Sequence, residues 1–180
     1  MKLKTFLIAG GNPTLLVWGC PKSKKLAIAK AYLGKVEHVG FVSPKNGYEK
    51  LEMMGGELCI NATLALASQS GTSNKIYTSG LNKPVKISNK NEETTIDLAL
   101  PYKKTGNLVL FPGIGFMCVE KDTEVTKKTL AELSAKYKLP AFGIAIYQKG
   151  KLTPYVYVKE TQSLFKETAC GSASIAVSLV

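Results

Sequence analysis

Two short segments of this chain follow one pattern, although they lie far apart. Residues 59–66 read C-I-N-A-T-L-A-L, and residues 170–177, which begin 111 positions later, read C-G-S-A-S-I-A-V. The common pattern is C-x-[NS]-A-[TS]-[LI]-A-[LV], and a glutamate lies shortly upstream of each copy, at Glu57 and Glu167. Internal repeats are typical of chains that are built from similar structural units. This repeat therefore predicts two similar half-structures that face one another.

Each copy of the repeat places a cysteine where small residues begin a helix. The free backbone N–H groups of a helix N-terminus bind anions, and the helix dipole favours a thiolate there. Two such helices directed at one cleft can hold a carboxylate and present a sulfur to each face of its Cα. We therefore interpret Cys59 and Cys170 as a pair that moves a proton at Cα. The alternative is a structural role, because buried cysteines and alanine-rich helices are common in cores.

The other cysteines and the one histidine give weaker signals. Cys20 and Cys118 lack the small-residue helix start, so we interpret them as core cysteines. His38 precedes Val39, Gly40 and Phe41 in a predicted strand. Its sequence context favours a packed or surface residue over a catalytic one.

Apolar runs bounded by Gly, Pro and Asn alternate with helical stretches, which predicts a mixed α/β (α+β) fold. In the first part of the chain, the predicted strands are residues 3–9, 14–18, 36–43, 75–78, 85–88 and 94–100, and the predicted helices are residues 26–33 and 58–68. The same alternation of strands and helices is predicted again in the second part of the chain. The predicted strands there are residues 108–111, 116–120, 142–147 and 155–158, residues 126–137 are a predicted helix, and the segment 170–180 begins a helix. We predict an N-terminal half, residues 1–105, with Cys59, and a C-terminal half, residues 106–180, with Cys170.

Charge and composition argue against several classes of protein. The formal net charge is +11, yet all 24 basic residues are lysines. Because nucleic-acid readers depend on the planar arginine fork, we expect no nucleic-acid partner. Four cysteines without C-x-x-C spacing and a single histidine indicate neither a metal site nor a disulfide framework. The first apolar run is cut at residues 10–13, too early for a signal peptide or a membrane span, which predicts a cytoplasmic protein with no membrane partner.

Both repeat segments also resemble a known family. Met54–Thr63 and Lys166–Ser172 resemble the two active-site signatures of the diaminopimelate epimerase superfamily, and Gly11–Val17 is similar to its first substrate-binding turn. Glu37–Phe41 and Glu160–Leu164 most resemble the histidine racemases of opine-type metallophore pathways. The resemblance covers nearly the whole chain. It implies two pseudo-symmetric domains, each with a sheet wrapped around a central helix, an active site between them, and no cofactor such as pyridoxal phosphate.

The resemblance also implies roles for particular residues. Cys59 and Cys170 would be the paired catalytic acid and base. The implied substrate-binding groups are the side chains of Asn12 and Asn61 for the amino acid, the carboxylate of Glu37 for its side chain, and the N–H groups of Ala62, Gly171 and Ser172 for its carboxylate.

The chain departs from the family pattern at several positions. Ile60 and Ala173 stand where the family usually has glycine, which would crowd the carboxylate pocket. Phe116 stands where a histidine is common in diaminopimelate epimerases. Family members also continue for several tens of residues beyond the second motif. We therefore expect a shortened second domain that lacks the final strands.

The expected substrate follows from the missing arginine. Diaminopimelate epimerases resemble one another in holding the distal end of the substrate with a glutamate and an arginine, and lysine cannot supply that bidentate geometry. We therefore expect a racemase or epimerase with a small amino-acid substrate, histidine first. One alternative is a diaminopimelate epimerase. A second is an isomerase or dehydratase with the same fold, but such relatives have one cysteine replaced, and both cysteines are present here. A third is a truncated member that binds a small molecule without turning it over. A homodimer and an oxidative disulfide between the two cysteines also stay open.

Overall fold

In the computed structural model, which describes residues 1–71 and 73–180, the chain forms two curled sheets and, within those residues, four α-helices. The first sheet and its helices comprise β1 (Lys2–Ile8), β2 (Asn12–Trp18), α1 (Lys25–Tyr32), β3 (His38–Lys45), β4 (Tyr48–Met53), α2 (Ile60–Ala67), β5 (Lys75–Thr78), β6 (Val85–Lys90) and β7 (Glu93–Asp97). The seven strands neighbour one another across the sheet in the same order as along the chain.

Helix α2 lies at the centre of the first sheet. Its sequence is apolar or small on nearly every face, which is typical of a helix that is buried all round. Seven of its eight residues are buried, and it contacts all seven strands, so the sheet curls around it. The β2–β3 and β4–β5 pairs are parallel, and α1 and α2 supply the crossovers that parallel neighbours need.

The second sheet has six strands and a helix on each face. Its elements are β8 (Lys103–Thr105), β9 (Leu108–Phe111), β10 (Ile114–Val119), α3 (Lys127–Lys136), β11 (Ala141–Gln148), β12 (Lys151–Val158), β13 (Ser163–Lys166) and α4 (Gly171–Ser178). Strands β10 and β11 are parallel and are joined by α3, whose Leu130 packs against Phe142 and Ile144. Helix α4 covers the other face and buries Ala173 and Ala176.

The predicted fold class is confirmed, since the chain is α+β with two curled sheets. The four predicted helices are confirmed as α1, α2, α3 and α4. The strand that was predicted to end at Leu100 ends at Asp97. Three strands, β4, β8 and β13, were not predicted. Strands β8 and β13 are short edge strands, and β4 places glutamate and lysine among its apolar residues, so their patterns are weak. No helix in the described ranges is long and apolar enough to cross a membrane.

The two halves meet where α2 and α4 begin. The chain passes from the first sheet to the second within residues 98–102. A Cβ atom added to Gly171 would lie only 2.7 Å from Cγ2 of Ile60, so the first residues of the two helices are in direct contact. The two copies of the repeat therefore start side by side.

Candidate active site

A cavity lies between the halves at the first turns of α2 and α4. It encloses about 40 Å³, and both repeat cysteines, Cys59 and Cys170, line it. The predicted substrate-binding residues that also line it are Glu37, Asn61, Gly171 and Ser172. The other two, Asn12 and Ala62, are completely buried and are not among the described lining residues.

Cys59 is the N-cap residue of α2. Its sulfur accepts a hydrogen bond from the backbone N–H of Ala62 at 3.4 Å, so this N–H group already has a protein partner. The backbone oxygen of Cys59 accepts from the hydroxyl of Thr63, which also contacts the hydroxyl of Thr78 on β5. These contacts hold the thiol at the positive end of the helix, where the dipole favours a thiolate.

Cys170 occupies the equivalent N-cap position of α4 and is also buried. Burial raises the pKa of its thiol well above the usual value, and the nearby carboxylate of Glu167 raises it further. The backbone N–H of Ala173 opposes this rise only in part. Near neutral pH, Cys170 is therefore a neutral thiol that can give a proton.

His38 lies in the same site, although its sequence context favoured a packed or surface position. Its Nε2 atom is 3.0 Å from Oε1 of Glu167, and its Nδ1 atom is 3.0 Å from Oδ1 of Asn12. The side chains of His38 and Glu167 are 12% and 3% exposed, so this ion pair is shielded from water. The other carboxylate oxygen of Glu167 is buried and has no hydrogen-bond partner in the described part of the chain.

The charge of His38 depends on its neighbours. Burial alone would lower the pKa of the imidazole, but the sulfur of Cys59 and the carboxylate of Glu167 outweigh burial and raise it well above its usual value. The charged ring is therefore favoured at neutral pH. The place of His38 in the site was not predicted, because its partners, Asn12 and Glu167, lie 26 and 129 positions away in the sequence. The pattern near His38 carried no sign of them, although Glu167 itself was noted beside the second motif.

Glu37 and Asn61 reach across to the second motif. Both oxygens of Glu37 accept from the backbone N–H of Thr168, at 3.0 and 2.9 Å, and Oε1 also accepts from the Thr168 hydroxyl. Asn61 donates to the carbonyl of Ala169 at 2.8 Å and accepts from the N–H of Gly171 at 3.2 Å. In this conformation, groups expected to bind the substrate hold residues 168–171 instead.

The cavity is acidic, although the chain as a whole is basic. Three glutamates, Glu37, Glu57 and Glu167, line it, and no lysine is among the described lining residues. Glu57 is buried, and burial raises the pKa of its carboxyl group, although the N–H of Gly55 donates to it at 2.9 Å. Even with His38 charged, carboxyl groups outnumber cationic groups among the described lining residues, which favours a cationic ligand. Among the described residues, no three His, Cys, Asp or Glu side chains are arranged to hold a metal ion.

Positions that depart from the family pattern fill space. Ile60 packs against Gly171 between the helix starts, and Ala173 is fully buried within α4. Phe116 is also fully buried, with its ring against Gly143 of β11. The residues at these three positions therefore contribute to packing. Cys118 lies in the core, where burial raises its pKa to about 11, and Cys20 is only half-buried.

The raised pKa of His38 predicts how stability changes with pH. The folded protein holds the His38 proton more tightly than the unfolded chain, whose histidine pKa is about 6.5. The contribution of His38 is then fully present below about pH 6.5 and is lost as the pH rises through the folded-state pKa. Urea unfolding at several pH values should show a steeper loss for the wild type than for His38→Gln. Equal slopes for the two proteins would contradict the expectation.

Comparison with solved structures identifies the fold. No family model matches the chain. A PhzF-family phenazine biosynthesis protein from Bacillus anthracis aligns with 99% of this chain and 79% of its own, with a TM-score of 0.60 and 14% identity. A putative PhzC/PhzF protein from Clostridium difficile aligns with 95% of this chain and 76% of its own, with a TM-score of 0.50 and 14% identity. The chain therefore has the fold that PhzF-like and diaminopimelate-epimerase-like proteins share.

Curated proteins are also similar to this chain in sequence. Histidine racemases from two strains of Fusobacterium nucleatum subsp. nucleatum are 29% and 27% identical to this chain, over 78% of its length in both cases. The alignments cover 64% and 63% of those proteins, so the chain spans less than two thirds of the length of these relatives.

Proposed function

We propose that this protein is a cofactor-independent amino-acid racemase in which Cys59 and Cys170 exchange the Cα proton of the substrate. One observation carries the proposal: two cysteines cap equivalent helices and line one cavity between the halves. The similarity to histidine racemases supports the same reaction class.

The two thiols start in different protonation states. Cys170 begins as the neutral thiol, because burial and the charge of Glu167 disfavour its thiolate. Cys59 is then the base, and its thiolate takes the proton from Cα. The bond electrons remain on the substrate as a carbanion-like charge that spreads onto its carboxylate, and the N–H groups of the first turn of α4 stabilise this charge. Cys170 gives its proton to the opposite face, which leaves Cys59 as thiol and Cys170 as thiolate, ready for the reverse reaction.

The acidic cavity favours an amino acid with a basic side chain. An α-ammonium group and an imidazole both find carboxylates nearby, namely Glu57 and the unpaired oxygen of Glu167. The second carboxylate of diaminopimelate would instead need a cation. The described lining residues include no lysine, and both ring nitrogens of His38 are already engaged by Asn12 and Glu167. The chain also has no arginine. We therefore propose histidine as the preferred substrate.

Substrate entry requires a change of conformation. The cavity of about 40 Å³ has room for a few water molecules and not for an amino acid. Glu37 and Asn61 must release Thr168 and Ala169 before they can contact a substrate. We infer that the two halves separate to admit the amino acid and close again around it.

Solvent deuterium exchange tests the proposed function. Reduced protein in deuterium oxide, incubated with a panel of L-amino acids that includes histidine and diaminopimelate, should place deuterium at Cα of histidine together with inversion. Exchange into diaminopimelate alone would support an epimerase of that substrate and exclude the proposed specificity. Absence of exchange with every substrate would exclude the racemase and favour a domain that only binds small molecules.

A further inference from the structure

Four protein groups determine the orientation of the Asn12 side chain. Its Nδ2 atom lies 2.5 Å from Oε2 of Glu37 and 3.0 Å from the backbone oxygen of Ala169. A carboxylate and a carbonyl oxygen both accept hydrogen bonds, so the atom between them must be the amide nitrogen. The opposite atom, Oδ1, then faces the hydroxyl of Thr14 at 2.8 Å and Nδ1 of His38 at 3.0 Å.

This orientation determines where His38 carries a proton. An amide oxygen only accepts, so Nδ1 of His38 must be the donor in its contact with Asn12. The other ring nitrogen, Nε2, faces the carboxylate of Glu167 at 3.0 Å. A proton therefore lies between His38 and Glu167, and the surroundings of the ring leave Nδ1 protonated in either charge state.

Asn12 has no capacity left for a substrate in this arrangement. A primary amide has two N–H donors and one oxygen with two lone pairs, and all four are used within the protein. Asn12 is also completely buried behind the cavity. Asn61, by contrast, lines the cavity directly.

We propose that Asn12 is a positioning residue that holds His38 as a donor at Nδ1, so that His38 and Glu167 keep one shared proton between the two repeat cysteines. The catalytic meaning of this arrangement rests on the proposed racemase function, whereas the arrangement itself does not. Asn12 and His38 belong to the first half and Glu167 to the second, so the shared proton also joins the halves.

The groups that face His38 favour its protonation, whereas burial alone opposes it. Glu167 and Cys59 attract the proton, Asn12 holds its Nδ1–H, and Glu57 is a further buried carboxyl nearby. When the shared proton lies on His38, the imidazolium is a positive charge close to Cys59 and favours its thiolate. The negative carboxylate of Glu167 lies close to Cys170 and favours its neutral thiol. The pair therefore maintains the difference between a base at Cys59 and an acid at Cys170.

Nitrogen NMR can test the arrangement directly, because His38 is the only histidine in the chain. In ¹⁵N-labelled wild-type protein without ligand, long-range ¹H–¹⁵N spectra should show both ring nitrogens protonated at neutral pH. Raising the pH should deprotonate Nε2 while Nδ1 stays protonated, with a midpoint above the usual value of about 6.5. A neutral ring protonated at Nε2, or a midpoint at or below the usual value, would overturn the proposal.

Matched variants separate Asn12 from its surroundings. Asn12→Ala should abolish the preference for a protonated Nδ1, whereas Thr14→Val, which removes the other donor to Asn12 Oδ1, should retain it. Glu167→Gln should lower the titration midpoint of His38 more than Glu57→Gln, since Glu57 is buried nearby but makes no hydrogen bond with His38 in the described structure. Loss of the preference in Thr14→Val and its retention in Asn12→Ala would reverse the assignment.

Kinetics of Asn12→Ala distinguish a positioning residue from a substrate ligand. If Asn12 positions His38, kcat should fall about 10- to 100-fold with little change in KM, because the interaction supports the chemical step. If Asn12 binds the substrate in both ground and transition states, KM should rise while kcat is retained, and the proposal fails. A wild-type protein without activity would reject the racemase function, and the NMR result would still decide the arrangement of Asn12 and His38.

Discussion

Replacing either repeat cysteine by serine is expected to slow racemisation about 10²- to 10⁴-fold. Each variant should still exchange the Cα hydrogen of one enantiomer with solvent. Serine retains a polar N-cap for the helix, so the fold is preserved, but its hydroxyl is a far weaker acid than a thiol and cannot replace the thiol in proton transfer. Chiral chromatography of the histidine product measures this loss.

The partial reactions follow from the geometry of two opposed sulfurs. A single remaining cysteine can remove a Cα proton only from the face that it meets and must return a solvent-derived proton to that face. Cys170→Ser, which keeps Cys59, should therefore exchange the Cα hydrogen of one enantiomer without inversion. Cys59→Ser should exchange that of the other enantiomer. Because the pKa of Cys170 is raised, exchange by Cys59→Ser should be slow at neutral pH and increase as the pH rises.

Cys20→Ser is the matched control, because Cys20 is half-buried and is not among the described residues that line the cavity. It should racemise at the wild-type rate. Racemisation at close to the wild-type rate in either single variant of Cys59 or Cys170 would contradict the mechanism. Exchange of the same enantiomer by both variants would also contradict it, since the two sulfurs would then act on one face.

The parts of the fold that the sequence predicted are those with local signals. Helix α2 and the start of α4 were predicted because small residues after Cys59 and Cys170 form a dense, repeated pattern. Strands β8 and β13 were missed because each is short and lies at a sheet edge, where backbone pairing with a neighbour defines the strand. Pairing of this kind leaves little trace in side-chain periodicity.

Long-range contacts explain what was missed in the site. His38 depends on Asn12 and Glu167, which no local pattern associates with it. Glu37 lines the cavity, yet its partner in this structure is Thr168 of the second motif. Which side chains face one another across two halves depends on how the halves close, and the sequence carries no simple periodic record of that contact.

Ile60 illustrates how the structure adds a packing role to one departure from the family pattern. The sequence predicted that this side chain would crowd the carboxylate pocket. In the structure it lines the cavity, is 6% exposed and also belongs to the core shared by α4 and the second sheet. Its contact with Gly171 sets the spacing between the first turns of the two helices. Ile60 and Gly171 should therefore behave as a coupled pair.

Gly171→Ala is expected to destabilise the protein by about 1 to 3 kcal/mol, since added atoms in a packed contact force neighbours to shift. The new Cβ would lie 2.7 Å from Cγ2 and 2.8 Å from Cβ of Ile60, and the latter atom cannot move without the backbone of α2. In a helix interior, alanine is favoured over glycine by about 0.8 to 1 kcal/mol, so at the first residue of α4 this preference offsets at most that much of the loss. Urea unfolding gives the net change.

The same substitution in an Ile60→Gly background is the matched control. Removing both clashing atoms should lower the cost of Gly171→Ala to below about 0.5 kcal/mol, or convert it to a gain, which makes the two changes strongly non-additive. Racemisation should respond in parallel, because the clash moves the helix starts that carry Cys59 and Cys170. An equal cost in both backgrounds would show that Ile60 does not limit the approach of α4, and that other contacts set the spacing of the two thiols.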